Sequence, residues 1–429
     1  MTNVVRVGVL GCGNVGAPLV HLIGEQRDAI EARTGLRLEV ARVAVRSIAK
    51  DRTAPIDHDL LTTDAEGIVT DDDIDVVVEL IGGIEPARTL VTTALDNGKP
   101  VVTGNKELLA NVGAELFDRA EKQGVDLLFE ASVGGGIPLV RPLRESLAGD
   151  RITRLMGIVN GTTNYILTKM TEDGADYAEA LAEAQSLGFA ERDPTADVEG
   201  YDAAAKCAIL ASIAFGVNVV AGDVYREGIS NVTSQDIDYA ARLGYVVKLL
   251  AIAERVSNDG GIAVRAHPAM IPSTHALAAV RESFNAVFIE GEAVGELMLY
   301  GRGAGGRPTA SAVLGDLVDA ASNLTRNTHA PVGGLADARI RPIDELRSQY
   351  YLNLEVADRP GVLASVAGVF GDHRVSIKSM EQEGLGDEAR LIFITHTATE
   401  SDVQATLHDL RELDAVDRVG SLLRVIGPE

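Results

Sequence analysis

Apolar residues along this chain follow two rhythms, and the change between them divides it. Up to about residue 135, short runs rich in β-branched residues alternate with helical patterns. The runs are VVRVGVL, LRLEVARVAVRS, DVVVELIG, KPVVTGN and GVDLLFEA; PARTLVTTALDNG and ELLANVGAELFDRAEKQG are among the helical stretches between them. Unbroken apolar runs of this length predict strands buried on both faces, and regular strand–helix alternation predicts a parallel, doubly wound α/β sheet of the Rossmann type.

From about 136 to 310 the pattern becomes mixed. ITRLMGIVNGTTNYILTKM predicts a strand that enters a helix through Asn160, Gly161 and Thr162. The helical segments ADYAEALAEAQSLG and DAAAKCAILASIAFG follow, and later stretches mix helix and strand, so the segment reads as an α+β substrate domain. Residues 311 to about 340 predict a returning helix and linker. From 350 to 429 the order is β-α-β-β-α-β, a ferredoxin-like module.

Composition removes several functions. The chain has 429 residues, 4% aromatics with no Trp, and a formal net charge of −24. That charge argues against nucleic acid and anionic membranes as partners. No apolar run is long enough to span a bilayer, and the first strand starts too early for a signal peptide. The two cysteines, Cys12 and Cys207, form no metal or disulfide pattern, and a cytoplasmic location fits.

Gly11, Gly13 and Gly16 form G-x-G-x-x-G between the first strand and the first helix, with Asn14 and Val15 inside the loop. In this context the motif predicts a dinucleotide site with the pyrophosphate at the helix N-terminus. The second strand ends not in a carboxylate but near Arg46, with Lys50 and Arg52 following. A cation there would attract a 2′-phosphate, which predicts NADP(H) over NAD(H); the plainer reading is a loop cap. Lys106, in TGNKELLA, falls at a strand end where α/β ligands bind, or is an ordinary lysine at a helix start.

The acidic stretch ERDPTADVEGYDAAAK, Glu191 to Lys206, runs into an almost wholly apolar helix. Asp202 and Lys206, four apart, share a face of it. An exposed ion pair is the simple account. Burial would instead make Lys206 a general acid with an adjustable pKa, and the carboxylates would suit a cationic ammonium. A calcium loop is a poor match in spacing.

GCGNVG, TGNKELL, FEASVGGGIP, GIVNGTTNYILTKM, LGFAERDPTADVEGYDAAAK and GRGAGGRPTASAVLGDL, in this order, resemble homoserine dehydrogenases through about residue 340. LEVADRPGVLASVAGVF resembles an ACT domain, and no aspartate kinase segment precedes the dehydrogenase part. The resemblance implies reversible NAD(P)-dependent interconversion of L-aspartate 4-semialdehyde and L-homoserine, on the route to threonine, methionine and isoleucine. It implies Lys206 as proton donor, Lys106 as a second active-site lysine that neighbours the cofactor, and Glu191 and Asp202 as substrate carboxylates near Gly161 and Thr162. Gly188 and Gly303 would line cofactor or substrate. A monovalent cation, sodium, would sit on Glu130 and the carbonyls of Val133, Gly135 and Ile137. The family favours homodimers and homotetramers. The DRPGVL loop, with Asp358, Arg359, Pro360 and Gly361, would hold an amino-acid effector, by pathway logic L-threonine; a mere dimerisation module is the alternative. Aspartate-semialdehyde dehydrogenase shares the substrate but needs a nucleophilic cysteine, which neither Cys12 nor Cys207 supplies. A catalytically inactive amino-acid sensor is the other rival.

Overall fold

The computed structural model describes residues 3–49, 56–256, 261–384, 386 and 388–427; Lys50 and Arg52 lie outside them. The chain forms two compact units that interleave along the sequence. The first comprises Met1–Val159, Ala205–Val224 and Asn285–Ala338; the second comprises Asn160–Ala204, Tyr225–Phe284 and Arg339–Glu429.

The first unit is built on six parallel strands: β1 (Asn3–Leu10), β2 (Leu36–Ala44), β3 (Leu61–Thr62), β4 (Val76–Glu79), β5 (Val101–Thr103) and β6 (Leu127–Leu128). Their spatial order is β3-β2-β1-β4-β5-β6, so the topology reverses between β1 and β4. Ligands of such sheets bind beyond the strand C-termini at that reversal. All four residues of β4 are buried, as an apolar strand covered on both faces requires. One cover is the helix Gly306–Thr325, which sends Ala310, Val313, Leu317, Ala320 and Ala321 into the same core as Val5, Val7 and Val9. The unit also holds an antiparallel pair in which Ala286–Gly291 runs beside Ile152–Ile158.

The second unit centres on a long hairpin, Tyr245–Arg255 paired with Gly261–Pro272. The C-terminal module has the β-α-β-β-α-β order, from Arg347–Ala357 to Val416–Val425. Its helices Val362–Asp372 and Glu400–Arg411 bury Val366, Phe370, Val403 and Leu407 against Leu352, Leu354 and Phe393 of the sheet. The module is not a bead on a linker. Its last strand continues the hairpin's sheet in parallel, through Ala269↔Arg424 and Met270↔Val425.

Buried polar groups reinforce that junction. The Arg424 guanidinium donates to Glu400 at 2.8 and 2.9 Å and to Glu227 at 2.9 Å. Arg424 and Glu400 are each 2% exposed. Tyr350 also donates to Glu400, at 3.0 Å. Fully buried Asp236 accepts from Tyr351 at 3.0 Å and from Ser421 at 2.6 Å.

Candidate active site

The glycine loop lies at the sheet's reversal point. Gly11 has φ +104°, and its N–H donates to the Ala44 carbonyl at the end of β2, 3.0 Å away. A Cβ on Gly16 would lie 2.1 Å from the Gly11 carbonyl oxygen, so this position admits only glycine. Around Gly13 a Cβ would meet nothing within 4 Å, which leaves the loop face open to a ligand. The helix Gly16–Glu25 begins after Asn14 and Val15 with no side-chain cap and no acid in its first turn. Its first N–H groups and positive dipole end therefore suit a pyrophosphate. Arg46 is exposed two residues beyond β2, the place of a 2′-substituent on the ribose.

Lys106 is half-buried and opens the helix Lys106–Gln123 after β5. The residue before it, Asn105, caps that helix by accepting from the Leu108 N–H at 3.0 Å. Asn105 also donates to the Gly83 carbonyl at 2.7 Å. Beneath it lies Glu79, fully buried at the end of β4. The Glu79 carboxylate accepts from Thr103 Oγ1 at 2.6 Å and from the N–H groups of Ile81 and Gly82 at 2.7 and 3.1 Å. Glu79 thus ties the ends of β4 and β5 together and fixes where Lys106 starts. The sequence carried a signal for it, a lone carboxylate closing the apolar run DVVVE.

The helix Tyr201–Phe215 gives Asp202 to the second unit and Lys206 to the first. It is buried nearly all round, through Ala203, Ala204, Cys207, Ala208, Ile209, Leu210 and Ala211. Lys206 is half-buried, and its Nζ donates to the Val159 carbonyl at 2.6 Å. Asp202 is 6% exposed and accepts from Asn160 Nδ2 at 2.9 Å. The same nitrogen donates to Asp197 at 2.7 Å.

The other acids of the stretch divide by role. Asp193 accepts from the Thr195 hydroxyl and N–H, bonds that hold its pKa below the ordinary aspartate value and order the local turn. Glu199 accepts from Ser230. Glu191 is exposed on coil, where its carbonyl accepts from Gln185. Thr162, on the helix begun by Gly161, donates to the Phe189 carbonyl at 2.6 Å and so anchors the loop that carries Gly188.

The turn after β6 explains its glycines. Gly135 has φ +57°, and a Cβ there would lie 2.5 Å from the Gly303 carbonyl oxygen. Val133, Gly135 and Ile137 are buried, and among the described residues no backbone N–H reaches their carbonyls. Such a set suits a hard monovalent cation. The Glu130 carboxylate is already engaged: it accepts from the N–H groups of Leu139, Val140 and Arg141. It shapes the turn. Among the described residues no group of three or more His, Cys, Asp or Glu could hold a metal ion.

Comparison with known proteins agrees with this architecture. The homoserine dehydrogenase NAD-binding domain matches residues 11–130, the homoserine dehydrogenase catalytic family matches 138–318, and the ACT domain matches 350–415. Homoserine dehydrogenase of Mycobacterium tuberculosis is 50% identical over 99% of this chain and 98% of its own length. That of Corynebacterium glutamicum is 50% identical, over 99% and 96%. The crystal structure of a homoserine dehydrogenase from Thiobacillus denitrificans superposes with TM-score 0.93 at 42% identity, covering 99% of both chains.

The chain belongs to the homoserine dehydrogenase family. As a homoserine dehydrogenase it is an NAD(P)-dependent oxidoreductase acting on a CH–OH group, with a Rossmann-type sheet and an ACT domain. Among the described residues no helix is long and apolar enough to cross a membrane. In the ACT domain of this homoserine dehydrogenase a cavity of about 350 Å³ is lined by Asp358, Arg359, Pro360, Gly361, Gln382 and Leu391. Gly361, with φ +94°, starts the helix that follows.

Sequence reasoning passed over a buried lysine. Lys248 is 3% exposed; its Nζ donates to Asn164 Oδ1 at 2.9 Å and to the Val280 carbonyl at 2.6 Å. Asn164 in turn donates to the carbonyls of Glu282 and Phe284. The group is a staple. Its signal was a single lysine inside the apolar strand VVKLLAIA. Burial pushes its pKa down to about 8 from 10.5. Between those values the folded chain binds fewer protons than the unfolded one, so stability rises with pH across that window. The penalty is complete below about pH 8 and relieved by about 10.5, a change on the order of 3 kcal/mol from this group. Urea unfolding from pH 8 to 10.5 should therefore show wild type gaining on Lys248→Met; parallel curves would remove the assignment.

Proposed function

We propose that this enzyme reduces L-aspartate 4-semialdehyde to L-homoserine, and runs the reverse, with NADP(H) preferred over NAD(H). When bound, the reduced nicotinamide supplies the hydride. Lys206 gives the proton to the carbonyl oxygen, so that hydride on carbon and proton on oxygen complete the alcohol. Asp202 and Glu191 receive the substrate's ammonium, with Gly161 and Thr162 beside them. Lys106 serves the cofactor side and the developing oxyanion, while Gly188 and Gly303 line the ligands with backbone. The observation that carries this reading is the single apolar helix that bears both Asp202 and Lys206, with Asp202 buried and hydrogen-bonded rather than solvated.

The preference for NADP(H) rests on Arg46 beyond β2, where a carboxylate would repel a 2′-phosphate. Carbonyls of Val133, Gly135 and Ile137, with the segment of Glu130, would hold sodium and stiffen the turn that packs on Gly303. L-Threonine would occupy the cavity at Asp358 to Gly361 and inhibit. The enzyme would work in the cytoplasm as a homodimer or homotetramer, on the route to threonine, methionine and isoleucine.

One assay tests the set. Purified protein is mixed with L-aspartate 4-semialdehyde, and NADPH or NADH loss is followed with and without millimolar L-threonine. NADPH should be the better cofactor. Arg46→Glu should lower the NADPH-to-NADH ratio of kcat/KM about tenfold or more, the scale of one lost charge-assisted contact. An unchanged ratio removes Arg46 from cofactor selection, and a rate indifferent to threonine removes the regulatory claim.

A further inference from the structure

Asn160 stands at the end of the strand Ile152–Ile158 and caps the helix Gly161–Glu172. Its side chain is 4% exposed, and each of its hydrogen-bonding positions is used. Oδ1 accepts from the Thr163 N–H at 2.8 Å and the Thr163 hydroxyl at 2.9 Å. Nδ2 donates to Asp197 at 2.7 Å and to Asp202 at 2.9 Å. These partners fix the amide's orientation. A flipped amide would set its oxygen against two carboxylates and its NH₂ against an N–H.

The arrangement does more than cap a helix. A cap needs only the oxygen, and serine or aspartate would serve as well. The nitrogen gathers two carboxylates onto one neutral donor. Like charges so placed repel, and the repulsion is strong where burial lowers the dielectric. A neutral amide lowers that repulsion and sets the two carboxylates side by side. Two carboxylates so placed are complementary to a compact cation such as a primary ammonium.

We infer that Asn160 is a positioning residue for the amino-acid substrate: its Nδ2 holds Asp197 and Asp202 in the spacing that receives the substrate's ammonium. The inference rests on the reading of Asp202 as a substrate carboxylate. Asn160 itself stays out of the proton and hydride steps, so its loss should be felt in substrate binding more than in turnover.

The test uses the full-length enzyme in the direction of homoserine oxidation. Asn160→Ser and Asn160→Asp both retain a helix cap and both remove the bridging N–H groups. Each should raise KM for L-homoserine about fivefold or more, while KM for the cofactor stays put and kcat falls less than KM rises. A homoserine KM that rises less than fivefold in a folded variant overturns the inference. So does failure of both variants to fold, which would assign Asn160 to structure alone. Asp202→Asn, measured beside them, separates the two levels. If it leaves the homoserine KM unchanged, the reading of Asp202 is what fails; if it raises KM and the Asn160 variants do not, only the bridge fails.

Discussion

Lys206→Met should lower kcat by about 10²–10⁴-fold in both directions, the range that a positioned general acid contributes. Cofactor binding, followed by the fluorescence of the reduced nicotinamide, should be close to wild type, because the Lys206 ammonium donates to the Val159 carbonyl, a partner outside the glycine loop. Lys206→Arg is the sharper variant. Arginine keeps the charge and can still donate to a carbonyl, but it does not release a proton at any pH the enzyme meets. If Lys206 acts as the proton donor, arginine should be nearly as inactive as methionine. If it only presents positive charge, arginine should recover most of the rate. A kcat within tenfold of wild type in Lys206→Met would end its role as the acid and shift attention to Lys106.

The second large effect concerns stability. Arg424→Met should destabilise the protein by about 3–5 kcal/mol, the cost of removing one partner from a buried ion pair. The reason is Glu400. It is 2% exposed and accepts from Arg424 through both oxygens. Without the guanidinium, only neutral donors, Tyr350 Oη and Gln404 Nε2, are left against a buried carboxylate. Surface pairs such as Arg307–Glu25 offer a control, since both side chains there are largely solvated. Arg307→Met should change stability by under about 1 kcal/mol. Urea midpoints for the two variants measured together would decide it. Equal midpoints would mean that the donors of Tyr350 and Gln404 suffice for Glu400, and the paired Glu400→Gln, Arg424→Met variant would then show no recovery.

Local chemistry was the legible part of this sequence. Gly11, Gly13 and Gly16 can be read because a tight strand-to-helix turn confines its demands to six residues. Asp202 and Lys206 can be read because a helix sets its own spacing. The ACT order of strands and helices is legible for the same reason, since each element's period is written in its own residues. What escaped reading depends on distant segments. Nothing in VVVELIG names Thr103 or Asn105 as partners of Glu79. Nothing near Glu130 says that its carboxylate will gather the N–H groups of residues 139 to 141. The family resemblance set Glu130 beside a cation, and its carboxylate also holds a turn in shape. The joining of the last strand to the hairpin at Ala269 and Met270 was likewise invisible, because two apolar strands carry no label for each other.

The interleaving of the two units bears on how the protein is made. When the first 284 residues have left the ribosome, all six strands of the dinucleotide sheet exist. The helix that seals one part of their core, Gly306–Thr325, has yet to be synthesised. The nascent chain must therefore carry an open apolar face until that helix is made, and the face closes only after Thr325 has been added. Vectorial, domain-by-domain folding, the usual protection of long chains against aggregation, is unavailable to the first unit. The glycine loop that opens the protein is among its last regions to gain a finished support.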